Sequence, residues 1–122
     1  MKTLGIVGAG AIGQALLRGL RAGSAPYSLW AATRTPESAA RIEREFSITA
    51  TDAYDRLVPK TDVILVCVKP AQVQETLQRL RSAGIGKHTL VISVAAGVTI
   101  AELERGVGDH VAVIRAMPNV PA

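Results

Sequence analysis

Cysteine is almost missing from this chain of 122 residues: Cys67 stands alone, so neither an intrachain disulfide nor a zinc cluster built on cysteines can form. Lying inside the apolar run Val63 to Val68, it reads as a buried packing residue. Aromatic residues make up only 3%, too few for a platform on which nucleotide bases stack. Basic residues exceed acidic ones by 14 to 10, which suits an anionic ligand, but they are scattered rather than gathered into a stripe, so nucleic acid is not the expected partner. No apolar stretch is long enough for a membrane span. The opening run stops at Gly8, too short and too glycine-rich for a signal peptide, and a cytoplasmic location is expected. His88 and His110 are the only histidines. Each falls on an expected loop without a partner, reads as a surface residue, and leaves no metal site and no Ser-His-Asp or Cys-His arrangement.

The length suffices for one hydrophobic core and is too short for two ordinary domains. Short apolar runs recur at Leu4 to Val7, Ser28 to Ala32, Val63 to Val68, Leu90 to Val94 and Val111 to Ile114, with a weaker one at Ile48-Thr49-Ala50. They alternate with segments of helical period, the pattern of βαβ units on a parallel sheet. Ile12, Ala15, Leu16, Gly19 and Leu20 form the expected inner stripe of a first helix ending near Gly23, with Gln14, Arg18 and Arg21 opposite. Thr35-Pro36 reads as the N-cap and first position of a second helix that buries Ala39, Ile42 and Phe46 and pairs Glu37 with Arg41 on its wet face. After Pro70, the residues Val73, Thr76, Leu77 and Leu80 mark a third stripe, closed by Gly84 and Gly86. Thr99 and Glu102 have capping-box spacing and start a helix running to about Gly106. The expected fold class is α/β: a single doubly wound, mainly parallel sheet of Rossmann type.

Gly8-Ala9-Gly10-Ala11-Ile12-Gly13 matches G-x-G-x-x-G directly after a strand and at the mouth of a helix. There Gly8 allows the tight turn, Gly10 a close backbone approach to a pyrophosphate, and Gly13 tight packing of helix on strand, while the helix N-terminus offers its amides to the phosphates. An NAD site would place Asp or Glu at the end of the second strand. This chain has Thr33-Arg34 there, and a guanidinium with a hydroxyl would hold a 2′-phosphate that a carboxylate would repel. NADPH is therefore the expected cofactor. Val68-Lys69-Pro70, Val94-Ala95-Ala96-Gly97 and Arg115-Ala116-Met117-Pro118-Asn119 each close an apolar run, at the strand ends where open α/β sheets bind ligands. Strand alternation leaves Arg115 either in the cleft or in a structural ion pair.

In this order, the glycine loop, a VKP turn, an AAG turn and a terminal R-x-MPN segment make the chain resemble the pyrroline-5-carboxylate reductase family over essentially its whole length. The resemblance implies that Gly8, Gly10, Ala11, Ile12 and Gly13 hold the pyrophosphate and that Thr33 and Arg34 hold the 2′-phosphate. It further implies that Val68, Lys69 and Pro70 line the cofactor groove, and that Ala95, Ala96, Gly97, Met117 and Asn119 lie toward the nicotinamide, with Asn119 a candidate hydrogen-bond partner for cofactor or substrate. No catalytic nucleophile is identified, because hydride chemistry belongs to the cofactor. The sequence departs from the family in having Ile12 where methionine is frequent, Val120 where threonine is usual, and no asparagine near Ala53-Tyr54. The family continues beyond the position of Ala122 into a helical domain that dimerises and closes over pyrroline-5-carboxylate, so the intact enzyme is expected to be a homo-oligomer. Rival expectations are the NADP-binding domain of a deazaflavin-dependent or β-hydroxyacid dehydrogenase-type reductase, and a non-catalytic NADP-binding module.

Overall fold

A computed structural model describes residues 2–8, 10–23 and 27–116. Six parallel strands form one sheet in the order β3-β2-β1-β4-β5-β6. They are β1 (Lys2–Val7), β2 (Tyr27–Ala32), β3 (Thr49–Thr51), β4 (Val63–Val66), β5 (Leu90–Ser93) and β6 (Ala112–Arg115). The helices are α1 (Ala11–Ala22), α2 (Pro36–Phe46), the single turn α3 (Tyr54–Leu57), α4 (Val73–Ser82) and α5 (Ile100–Val107). The order reverses between β1 and β4, the switch point that a doubly wound sheet uses for ligands.

Two cores flank the sheet. Ile6, Leu17, Ala31, Ile42 and Phe46 pack where α1 and α2 cover one face. Val7, Ile64, Val66, Leu77, Leu80, Val91 and Leu103 pack on the other, beneath α4 and α5. The caps form as their sequences dictate. Thr35 Oγ1 accepts from Ser38 N at 3.1 Å with Pro36 opening α2, and Thr99 and Glu102 complete a capping box on α5. Gly84, at φ +91°, ends the turn after α4.

Several boundaries differ from the sequence reading. β4 stops at Val66 rather than Val68, because Gly8 takes the backbone out of the β1 ladder at φ +109° and leaves no strand partner beyond Val7. β5 ends at Ser93 rather than Val94. β6 begins one residue late, since Val111 N still closes a turn onto Gly108 O at 3.2 Å. The inner face of α1 is also rotated. Gly13 and Leu17 are buried, whereas Ile12 and Ala15, expected inside, are exposed. Close packing at Gly13 sets that rotation, and Leu16 and Leu20 are left only partly covered. Glu37 and Arg41 do not pair; among the described residues the recorded ion pair of α2 joins Glu45 to Arg18 of α1 at 3.7 Å, on an exposed surface where it contributes little. The turn Tyr54–Leu57 and the 3₁₀ turn Val58–Lys60 had no counterpart in the sequence reading.

Candidate functional site

At the end of β1 the chain turns on Gly8, whose N–H donates to Ala32 O at 3.0 Å. A Cβ on Gly8 would lie 3.0 Å from the backbone of Cys67, at a φ that L side chains avoid. Gly10 is the N-cap of α1; it supplies no side-chain cap, and no acidic residue stands in the first turn. The first-turn amides are thus left facing the loop with their partial positive charge unneutralised. A Cβ on Gly13 would collide with the carbonyl oxygen of Gly8, whereas one on Gly10 would meet, among the described residues beyond its own chain neighbours, nothing within 4 Å. Gly13 is needed by the fold, and the space above Gly10 is open to a ligand.

From this loop a cavity of about 290 Å³ extends across the end of β2. Gly8, Gly10, Ala32, Thr33 and Arg34 border it on one side, together with Ser38 and Arg41 of α2. Thr33 is buried, and its hydroxyl donates to Thr35 O at 3.0 Å while its N–H donates to Thr51 O at 3.0 Å. Its proton is therefore committed to shaping the turn into α2, and the hydroxyl is not a free donor for a phosphate. Ser38 on the same wall differs: its oxygen accepts from Thr35 Oγ1 at 2.9 Å, which leaves its own proton uncommitted by that bond. Arg34 and Arg41, both exposed at the rim, add two guanidinium groups.

The opposite wall comes from the turn after β4 and from α4. Cys67, Val68 and Lys69 lie next to the glycine loop, and Gln72, Glu75, Thr76 and Arg79 follow at the spacing of one helix face. Tyr54 closes the far end. The Arg79 guanidinium stacks over its ring at 4.0 Å from the centroid and also donates to Asp52 O at 3.4 Å. Burial raises the Tyr54 hydroxyl above its ordinary range, opposed by the Arg79 charge and by a hydrogen bond with Thr76. Burial likewise pushes the Cys67 thiol up to about 12. Its Sγ donates weakly to Leu65 O at 3.8 Å, the behaviour of a packed, unreactive cysteine.

Of the residues expected from the sequence, the structure brings Gly8, Gly10, Thr33, Arg34, Val68 and Lys69 to one cavity. Gly13 lies beneath the loop, and Ala11 and Ile12 open α1, with Ile12 exposed. Pro70 starts a 3₁₀ turn, Pro70–Gln72, behind Lys69. Ala95 belongs to the core, leaving Ala96 and Gly97 exposed on their turn, Gly97 at φ +77°. Met117 and Asn119 fall outside the described residues, and Arg115 is exposed at the end of β6. His88 and His110 are exposed. Among the described residues no cluster of His, Cys, Asp and Glu could hold a metal, and no helix is long and apolar enough to cross a membrane. Ser38, Arg41, Tyr54, Gln72, Glu75, Thr76 and Arg79 were not singled out as site residues by the sequence; only the polar positions at helical spacing on α4 carried a signal.

A β-strand, a glycine loop and a phosphate-sized opening at the switch point are features of dinucleotide sites in general. Residues 3–97 match the family model described as NADP oxidoreductase, coenzyme F420-dependent. The chain belongs to this family. Curated relatives at 30–37% identity are pyrroline-5-carboxylate reductases, as the motifs indicated. It is 37% identical over 123 residues to that of Escherichia coli strain K12, covering 99% of this chain and 45% of the relative. The pyrroline-5-carboxylate reductase of Coxiella burnetii superposes with a TM-score of 0.84 at 28% identity, over 97% of this chain and 44% of that one. The Plasmodium falciparum pyrroline carboxylate reductase, solved with NADP bound, shares the fold at a TM-score of 0.79 and 24% identity, over 97% of this chain and 42% of that one. The chain thus spans a little under half the length of the curated relatives it matches.

Proposed function

We propose that this chain is the NADPH-binding half of a pyrroline-5-carboxylate reductase. The observation that carries the reading is a single cavity joining the capless N-terminus of α1 at Gly10 to the guanidinium groups of Arg34 and Arg41 at the end of β2. The first supplies amides for a pyrophosphate, and the second supplies cations where a 2′-phosphate on the adjoining ribose would lie. The opening above Gly10 and the absence of any carboxylate from the turn at Thr33-Arg34 fit this cofactor.

NADPH bound there would supply a hydride to the carbon of the C=N bond of a cyclic imine whose nitrogen takes up a proton from solvent, giving proline. The chain's own part is to grip and orient. Gly8 and Gly13 hold the loop against Cys67, the α1 amides fix the diphosphate, and Val68, Lys69 and Pro70 line the cofactor groove beside the loop. The exposed turn Ala96-Gly97 is the described segment left to face the nicotinamide end, joined by Met117 and Asn119 on the family resemblance. We place substrate closure, exclusion of water and homo-oligomerisation in the helical half that the family resemblance implies, and the working location in the cytoplasm.

Binding tests the reading first. NADPH should quench Trp30 fluorescence and raise the melting temperature more than NADH at equal concentration. Equal responses would remove the NADP preference, and no response would remove the site. The family description favours one rival, transfer of hydride between NADPH and coenzyme F420. Relatives at 37% identity favour the imine. Assays of the chain joined to its helical half, with pyrroline-5-carboxylate and with F420, separate the two.

A further inference from the structure

The cavity has a part that the phosphates do not use. If Gly10 takes the pyrophosphate and Arg34 the 2′-phosphate, the ribose between them carries a base that must enter the remaining space, bounded by Tyr54 of α3 and by Thr76 and Arg79 of α4. These three are already organised as a unit. Tyr54 is 6% exposed, Thr76 stands beside it on the cavity wall, and its ring lies under the Arg79 guanidinium at 4.0 Å from the centroid. Arg79 is further tied to Asp52 O and is only half-buried, so it is held in place while remaining accessible from the cavity it lines.

A guanidinium held over an aromatic ring at 4.0 Å from its centroid and tied to a carbonyl is a preorganised surface for a further π system, because a planar cation attracts a π face and little side-chain freedom remains to be lost. Resting on the NADPH reading above, we infer that Tyr54 and Arg79 form the adenine platform of the site, with the purine stacked on the pair. Lysine at 79 could not replace arginine in this role, since an ammonium has charge but no plane.

The test uses the full 122-residue chain and two half-cofactors: adenosine 2′,5′-bisphosphate, which contains the base, and reduced nicotinamide mononucleotide, which does not. Arg79→Met keeps the aliphatic stem at a half-exposed position, so the fold should be retained, as circular dichroism would verify. The variant should bind the bisphosphate about tenfold more weakly, within the range for loss of a stacked cation or base platform, and bind the mononucleotide as the parent does. Arg79→Lys should restore little of the loss. Nuclear Overhauser contacts from adenine H2 and H8 to Arg79 δ protons should appear in the parent. Unchanged affinity in Arg79→Met, or full recovery in Arg79→Lys, would overturn the platform while leaving the dinucleotide site standing. A parent chain that binds neither half-cofactor would remove both.

Discussion

Gly13 lies against the carbonyl oxygen of Gly8 so closely that no Cβ can stand between them. Helix α1 is thereby seated on the strand it follows, with Leu17 turned inward and its first-turn amides aimed at the loop. Gly13→Ala should therefore act on the fold. A loss of about 1–3 kcal/mol is expected from the overpacking, read as a lower urea midpoint, and NADPH affinity should fall with it as the loop is displaced.

Gly10→Ala should do the opposite. Among the described residues beyond its chain neighbours nothing lies within 4 Å of the added methyl, so stability should stay within about 1 kcal/mol of the parent, the ordinary cost or gain of exchanging Gly and Ala at a terminus. The methyl would occupy the space a diphosphate needs, and NADPH and NADH affinities should fall together. Titration alongside thermal melts distinguishes this outcome from that at Gly13.

At the rim, Arg34→Ala should weaken NADPH by about ten- to a hundredfold, the equivalent of a charge-assisted hydrogen bond of roughly 1.5–3 kcal/mol, and leave NADH nearly unchanged. Arg41→Ala should produce a smaller change in the same direction, and the double variant should lose the preference for the phosphorylated cofactor. The loss should shrink as salt is raised, because both side chains are exposed.

These contrasts also show what the sequence could and could not disclose. The glycine loop, the Thr35-Pro36 start of α2 and the Thr99/Glu102 capping box were legible because each is governed by backbone geometry within a few residues. The α1 stripe was misread because Gly13, with no side chain, gives no hydrophobic signal although it decides which face turns inward. Tyr54, Thr76 and Arg79 were not legible as a group. They come from separate elements, brought together only when α3 and α4 settle on the same side of the sheet, and a cation over a ring leaves no periodic trace. Arg41 looked like half of an ordinary i,i+4 pair until the position of α2 showed it at the cavity.

Cys67 offers a prediction in pH. Its folded-state value of about 12 lies above the ordinary 9.0, so the folded protein holds the thiol proton more tightly than the unfolded chain does. The associated stability is complete below pH 9 and is lost as pH rises from 9 toward 12. Urea midpoints should fall across that interval, less steeply in Cys67→Ala by up to about 1.4 kcal/mol per pH unit. Some decline should persist in the variant, because Tyr54 is also raised by burial. At pH 8 iodoacetamide should label the native thiol far more slowly than the urea-unfolded one.

The strand order carries a consequence for how the molecule comes into being. β1 ends at the centre of the sheet, yet its neighbour on one side, β4, begins only after the 55 residues that separate Val7 from Val63. On a ribosome working at roughly 5–20 residues per second, β1 and β2 can join early while the other margin of β1 waits some 3–11 s for its mate. For that interval the future middle of the protein is its raw border, and a helper protein that shields bare strands would find its target at Leu4, Ile6 and Val7.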